Sequence, residues 1–294
     1  MRVAEHLTRL GGVARRHELE ACAGRAALEA AVAAGTVRRV ARGRYALPTD
    51  DEARAAAHRL SGTVVLLSAA AHWGWATKVP AGLPQVAVPR GRKVPADVQR
   101  EVDIRWRSVP PAQRVDGWVT SKARTVHDCA ALLPFDEALC VLDSALRFGD
   151  VSPVDLHDLT EVPPRMRPRI QRVLDCGSDL AFGPFETVLR AIALDVPGLD
   201  VRPQVAIRDA DGFVGRVDLA DERLRIVIEA DSHAFHAGAA DFARDCERYS
   251  RLTCDGWIVI RVPWRMAMHE PERVRRLLER AVALRTRCLI CAIS

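Results

Sequence analysis

The sequence predicts an α/β protein in three parts. Residues 1–50 read as three short helices with a β-hairpin, 51–160 as a small α+β part, and 182–294 as a core of order α-β-β-β-α-β. Three observations carry this expectation. Phe182, Phe185, Val188, Leu189 and Ile192 recur at helical spacing. Apolar runs of strand length follow, two of them flanking the polar tetrad Asp221-Glu222-Arg223-Leu224, which can turn. Pro153, Pro163, Pro164 and Pro168 stand amid charges and mark a linker, placed at 161–181. A length of 294 residues fits two or three domains.

Composition is that of an ordinary globular protein, 49% apolar and 28% charged. The net charge of +5 rests on arginine, since Lys78, Lys93 and Lys122 are the only lysines. A mild basic excess fits a nucleic-acid partner, and it equally fits a genome that writes Arg for Lys. No run of eighteen apolar residues occurs, so no membrane span and no membrane partner are expected. The N-terminus lacks the apolar core of a signal peptide, which argues for the cytoplasm. Eight scattered cysteines form no disulfide framework. Cys288 and Cys291 make a C-x-x-C without a second ligand pair, so an ordinary reduced tail is preferred to a zinc site.

At the N-terminus, Val3, His6, Leu7 and Leu10 have helical spacing and Gly11-Gly12 breaks the helix. Residues 14–21 and 25–34 read as two further helices, separated near Gly24. Residues 36–40 and 44–47 then read as strands around Ala41-Arg42-Gly43. Three helices and a hairpin make a winged helix. Arg38, Arg39, Arg42 and Arg44 lie on the hairpin, where a wing meets phosphates. The third helix is nearly all alanine, and base reading needs longer polar side chains. The module therefore either positions on DNA without reading much sequence or only packs. The stretch Gly35-Thr36-Val37-Arg38-Arg39-Val40-Ala41-Arg42-Gly43-Arg44-Tyr45 resembles the N-terminal winged helix of type IV abortive-infection antitoxins, over about the first fifty residues.

In the middle part, residues 52–60 read as a helix, and 64–68 lead into another ending near Ala71. Strands are expected at 86–89 and 102–106, and helices at 123–132 and 136–147. Residues 120–128 resemble the segment that follows the winged helix in antitoxin-like regulators. No catalytic constellation is visible here, and His72 beside Trp73 and Trp75 reads as a packed cluster.

The C-terminal part carries the chemistry. Residues 201–207 form a strand with Gln204, and Asp209-Ala210-Asp211-Gly212 a hairpin turn. The runs 214–220 and 224–230 each hold one acid, Asp218 and Glu229. Burying an unpaired carboxylate costs several kcal/mol, so such an acid shifts its pKa, pairs, or binds a metal. Two acids brought together by one hairpin point to a cation site. A helix at 239–254 bears Asp245 and Arg248, a strand follows at 257–262, and a basic helix at 271–286 ends the core.

This order, with Glu186 in the first helix, resembles the PD-(D/E)XK nuclease superfamily and, within it, the very-short-patch-repair endonuclease-like domains. The matching residues are Gly215-Arg216-Val217-Asp218-Leu219, Ile228-Glu229-Ala230-Asp231 with His236, Arg244-Asp245 with Arg248, and Gly256-Trp257 with Val259 and Arg261. The resemblance implies a restriction-endonuclease-like fold and a metal-dependent endodeoxyribonuclease. It implies Mg2+, with Mn2+ as a substitute, held by Asp218 and Glu229 and, directly or through water, by Glu186. Gln204 would hold water or phosphate. The superfamily lysine, two residues beyond the glutamate, is Asp231 here, a substitution usual in this subgroup. His236 or Arg248 would supply a proton or charge instead, and Arg248 equally fits a structural ion pair with Asp231 or Asp245.

The expected partners are DNA and a toxin or other protein, with the oligomeric state open. Two rival readings accompany the nuclease: a non-catalytic DNA-binding transcriptional regulator of the antitoxin kind, and a binding module for a protein toxin.

Overall fold

A computed structural model describes residues 3–10, 12–41, 43–231 and 239–293. The fold is mixed α/β, as expected. The chain divides into two compact units, Met1–Asp179 and Leu180–Ser294.

The first unit begins with α1 (Val3–Arg9), β1 (Val13–Arg15), α2 (Arg16–Ala23) and α3 (Arg25–Ala33). Then come β2 (Arg38–Ala41) and β3 (Arg44–Ala46), joined in the sheet order β1-β3-β2. Leu7, Leu19, Leu28, Val37 and Tyr45 fill the centre of this module. Residues 14 and 15, expected in a helix, lie in β1. Val13 pairs with Ala46 and Arg15 with Arg44, a long-range pairing that local spacing does not reveal.

The chain continues through α4 (Thr49–Leu60), β4 (Thr63–Val64), α5 (Leu66–His72), β5 (Gln85–Val88), α6 (Ala96–Glu101) and β6 (Asp103–Trp106). It then adds β7 (Arg114–Val115), β8 (Val119–Thr120), α7 (Lys122–Leu132) and α8 (Phe135–Arg147). A mixed five-stranded sheet of order β6-β5-β4-β8-β7 results, with Val64, Val86, Val88 and Val119 in its core. His72 stacks edge-on against Trp73 and Trp118, the packed cluster the sequence suggested.

The expected linker 161–181 is partly helical. After α9 (Pro153–Leu156), α10 runs Arg167–Asp175, buries Ile170 and Val173, and packs on α7 and α8. The prolines that suggested a linker start helices instead. Pro153 and Pro168 occupy first-turn positions, where no amide donor is missed.

In the second unit, α11 (Pro184–Leu194) precedes β9 (Arg202–Asp209), β10 (Gly212–Asp221) and β11 (Ile226–Asp231), two successive antiparallel pairings. Then α12 (Ala239–Cys254) returns the chain so that β12 (Ile258–Pro263) pairs parallel to β11, which a tight turn could not do. The sheet order is β12-β11-β10-β9. Leu252 of α12 packs on Ile207, Val217 and Val227 of the sheet. α11 packs on β10 and β11, followed by α13 (Trp264–His269) and α14 (Pro271–Ile293). The predicted order α-β-β-β-α-β is the order found.

If α10 is structural, Ile170→Ala lowers the stability of the first unit by about 2–4 kcal/mol, the range for emptying a buried aliphatic site. Urea unfolding checks this, and an unchanged midpoint would return 161–181 to linker status.

Candidate active site

The β10–β11 ladder places Leu219 opposite Ile228. One step further along, Asp218 comes opposite Glu229. The two carboxyls come within hydrogen-bonding reach of each other, a contact that needs one of them protonated. Asp218 Oδ2 also accepts the Ala230 backbone N–H at 2.8 Å. Glu229 is only 7% exposed. Burial pushes both acids above their ordinary range. For Glu229 burial is the larger cause and the Asp218 charge the next, and together they raise it to about 7.

Gln204 sits on β9 between the pairs Val217–Val205 and Leu219–Pro203, so it faces Asp218 across the ladder. Its φ is +56°, a left-handed conformation costing a non-glycine residue on the order of 1–3 kcal/mol. Its side-chain amide donates to Glu186 Oε2 at 3.0 Å and also hydrogen-bonds Asp218, holding the latter's pKa down. Glu186 lies in the first turn of α11 and accepts the Phe182 N–H at 2.8 Å. It is thus linked to the acid pair through Gln204.

Arg248 enters from α12. Its Nη1 donates to Glu229 Oε1 at 2.7 Å, a partner beyond the two expected, Asp231 and Asp245. Asp245 stands at 3.8 Å. Gly215 leaves room for this side chain, since a Cβ there would come within 2.9 Å of Arg248 Cδ. Asp231 pairs with Arg261 of the neighbouring parallel strand at 3.1 Å. Its Oδ1 is buried and has no hydrogen-bond partner among the described residues.

Sequence reasoning left Tyr249 and Arg261 out of the site. Tyr249 lies between two guanidiniums, Arg248 at 4.6 Å and Arg261 at 4.7 Å from the ring centroid. Its hydroxyl accepts from Arg248 Nη2 at 2.7 Å, and burial pushes it up to about 12, so it stays neutral. The sequence signal for Arg261 was its place in the motif with Gly256, Trp257 and Val259, and the β11–β12 register sets it beside Glu229.

The site therefore gathers Asp218, Glu229, Gln204, Glu186 and Arg248, with Asp231 two residues along the same strand. His236 lies outside the described residues. So do Arg42 and the side chains of Arg44, Cys288 and Cys291. Arg38 and Arg39 lie on β2 of the wing, Arg39 exposed and Arg38 half-buried.

Among the described residues, no group of three His, Cys, Asp or Glu side chains is close enough to hold a metal by itself. The donor set nonetheless suits Mg2+. That ion needs only one or two carboxylates, its other positions being taken by water and substrate phosphate. A divalent ion would neutralise the two hard carboxylates, and Asp231 Oδ1, two residues along β11 from Glu229, has no hydrogen-bond partner among the described residues.

No protein-family model matches the chain. Two curated proteins of Mycobacterium tuberculosis, described as uncharacterized proteins MT2308 and Rv2248, are each 29% identical to it over 177 residues. The alignment covers 58% of this chain and 65% of each relative, so the chain spans just under two thirds of the length of the relatives it matches. A crystal structure of the RV2827C protein from Mycobacterium tuberculosis aligns at 17% identity, over 71% of this chain and 87% of that one, with a TM-score of 0.34. Among the described residues, no helix is long and apolar enough to cross a membrane.

The raised acid pair has a pH signature. Glu229 binds its proton more tightly in the fold than its ordinary value of 4.5 allows. Metal-free protein therefore gains stability as pH falls through about 7 and stops gaining near 4.5, by on the order of 1–3 kcal/mol. Melting in EDTA should show this step for the wild type and not for Glu229→Gln. Identical pH slopes for the two proteins would rule out the raised pair.

Proposed function

We propose that the C-terminal unit is a divalent-cation-dependent phosphodiesterase acting on DNA, of the PD-(D/E)XK kind, with the N-terminal winged module bringing it to DNA. The observation supporting this most is the Asp218–Glu229 pair, two desolvated carboxyls facing each other across adjacent strands. A fold gains nothing in stability from two such acids side by side. Perturbed, mutually coupled carboxyls mark sites that work on a cation or a proton.

When bound, Mg2+ or Mn2+ supplies charge neutralisation at the phosphoryl oxygens and a more acidic water. Asp218 and Glu229 would hold it. Gln204 fixes the Asp218 carboxyl through its amide and orients Glu186 on its other side. Of the two groups expected to supply a proton or a charge, Arg248 has the geometry for charge alone, because a guanidinium does not release its proton. Were Glu229 to hold a cation, the Arg248 donors now on it would be placed to meet a phosphoryl oxygen. Asp231 occupies the position where this superfamily carries lysine, and Arg261 brings a positive charge to it.

Purified full-length protein with Mg2+ or Mn2+ is expected to nick or cut DNA. Asp218→Asn and Glu229→Gln should each slow cleavage by about 10³-fold, the equivalent of several kcal/mol of lost charge stabilisation. They should also remove the Mn2+-dependent rise in melting temperature while leaving the circular dichroism unchanged. Cleavage by the double variant at the wild-type rate would show that the site lies elsewhere. DNA binding without cleavage under any metal would leave a non-catalytic DNA-binding protein.

A further inference from the structure

Arg208, Phe213 and Arg216 lie on the β9–β10 hairpin, outside the acid site. Across the ladder Arg208 pairs with Phe213, and Ala206 with Arg216. Directly paired residues point to the same side of a sheet, as do residues two apart on one strand. Arg208, Phe213, Ala206 and Arg216 therefore share one face, and all four are exposed. Val205, Ile207 and Val217 take the other face, where they pack with Leu252 of α12. We propose that the exposed face is the track for the DNA strand to be cut, and that this strand is unpaired. Arg216 and Arg208 hold phosphates next to the scissile one, and Phe213 stacks on a base. The proposal names the substrate form for the nuclease reading above and rests on that reading.

Register makes the first argument. Phe213 and Arg216 are three apart on β10, a spacing that sends side chains of a regular strand to opposite faces. The ladder shifts register between Phe213 and Gly215, and this irregularity at Val214 turns Phe213 onto the face of Arg216. Phe213 is 54% exposed as a result, where a regular strand would have set it on the side of α12. Such bulges re-aim side chains and are frequent next to active sites. Asp218 stands two residues beyond Arg216, about 7 Å along the same strand. A phosphate held at the acid pair thus has its neighbour within reach of the long Arg216 side chain.

Charge makes the second. Among the described residues, neither Arg208 nor Arg216 has an ion pair or a side-chain hydrogen bond. Asp209, next to Arg208, is held by Arg251 of α12 at 2.6 Å. Asp211, in the turn, pairs with neither arginine. Two uncommitted guanidiniums on one face attract a polyanion. Arg208 Cζ lies 5.8 Å from the centroid of the Phe213 ring, so a cation and a stacking surface stand together. Proteins that bind single strands combine these two elements, one for the backbone and one for the base. A duplex hides the faces of its bases within the stack, and an unpaired strand presents them. The hairpin is also anchored, because Arg251 Nη1 donates to Phe213 O at 3.4 Å.

The test uses the full chain in EDTA, so that cleavage cannot interfere. It reads the anisotropy of a fluorescein-labelled 16-nucleotide DNA strand, alone and in duplex. Arg208→Ala/Arg216→Ala is expected to lose single-strand affinity by ~10-fold or more, with a salt slope shallower by about 1.4 for two phosphate contacts. Phe213→Ala is expected to lose ~5-fold or more on the single strand at an unchanged salt slope, and less than about 2-fold on the duplex. Arg276→Ala/Arg280→Ala removes two exposed charges from α14 and should change neither affinity by more than about 2-fold. Losses in this control equal to those of the Arg208/Arg216 variant overturn the proposal. So does wild-type single-strand affinity in that variant or in Phe213→Ala. Should Phe213→Ala melt early, Phe213→Leu keeps the apolar bulk without the stacking ring and is held to the same outcome. Adding Mg2+ separates this result from the nuclease reading. If the binding losses appear but wild type never cuts, the strand-binding face stands and the nuclease falls. If wild type and the Arg208/Arg216 variant cut a sub-saturating single strand at equal rates, the nuclease stands and the track is overturned.

Discussion

Two carboxyl groups buried side by side set the terms for the whole C-terminal unit. Asp218 and Glu229 would repel each other and resist desolvation if both were charged. The surrounding structure makes the pair tolerable by several separate means. Glu229, raised to about 7, takes up a proton readily, Arg248 partly offsets its charge when ionised, and the Ala230 amide and the Gln204 side chain satisfy Asp218. Each of these has a structural cost. Gln204 adopts a left-handed backbone at φ +56°, position 215 must lack a side chain so that Arg248 can pass, and α12 must place Arg248 over β11. Natural folds accept such costs where chemistry is done and remove them elsewhere.

The acids stood out in the sequence because carboxylates rarely interrupt strand-length apolar runs, and the element order around them followed from periodicity. What local pattern could not supply was register. Asp218 faces Glu229 because Leu219 pairs with Ile228, and Arg261 comes beside Glu229 because β12 runs parallel to β11. Neither pairing is written in the spacing of neighbouring residues. The same reason explains β1, which exists because Val13 to Arg15 find partners on β3 thirty residues away. The region 161–181 misled for a different reason. Prolines break helices in their interiors but are tolerated in their first turns, and only the buried pair Ile170 and Val173 shows that α10 belongs to a core.

Arg248 shows how a spacing argument reaches the right residue and one of its partners, but not the closest. Its place on α12 limited it to the acids at the ends of β10 and β11. Asp245, three residues earlier on its own helix, was the local choice and stands at 3.8 Å. Glu229 takes the close contact at 2.7 Å because a buried, raised carboxyl gains more from a cation than a better-solvated one does. Asp231, the other expected partner, is already held by Arg261.

The scarcity of lysine gives two places in the chain a common physical form. With three lysines in the chain, almost every positive charge is a guanidinium, which stacks on aromatic rings as an ammonium does not. Tyr249 carries Arg248 and Arg261, and Phe148 carries Arg15 and Arg147. In both places one ring fixes two like charges that would otherwise separate. At Tyr249 these guanidiniums reach Glu229 and Asp231. A lysine at position 231 would deliver one mobile point charge. An arginine held at Tyr249 delivers a positive charge beside Asp231 from a more constrained position, so the acid strand has a cation at hand without a lysine in it.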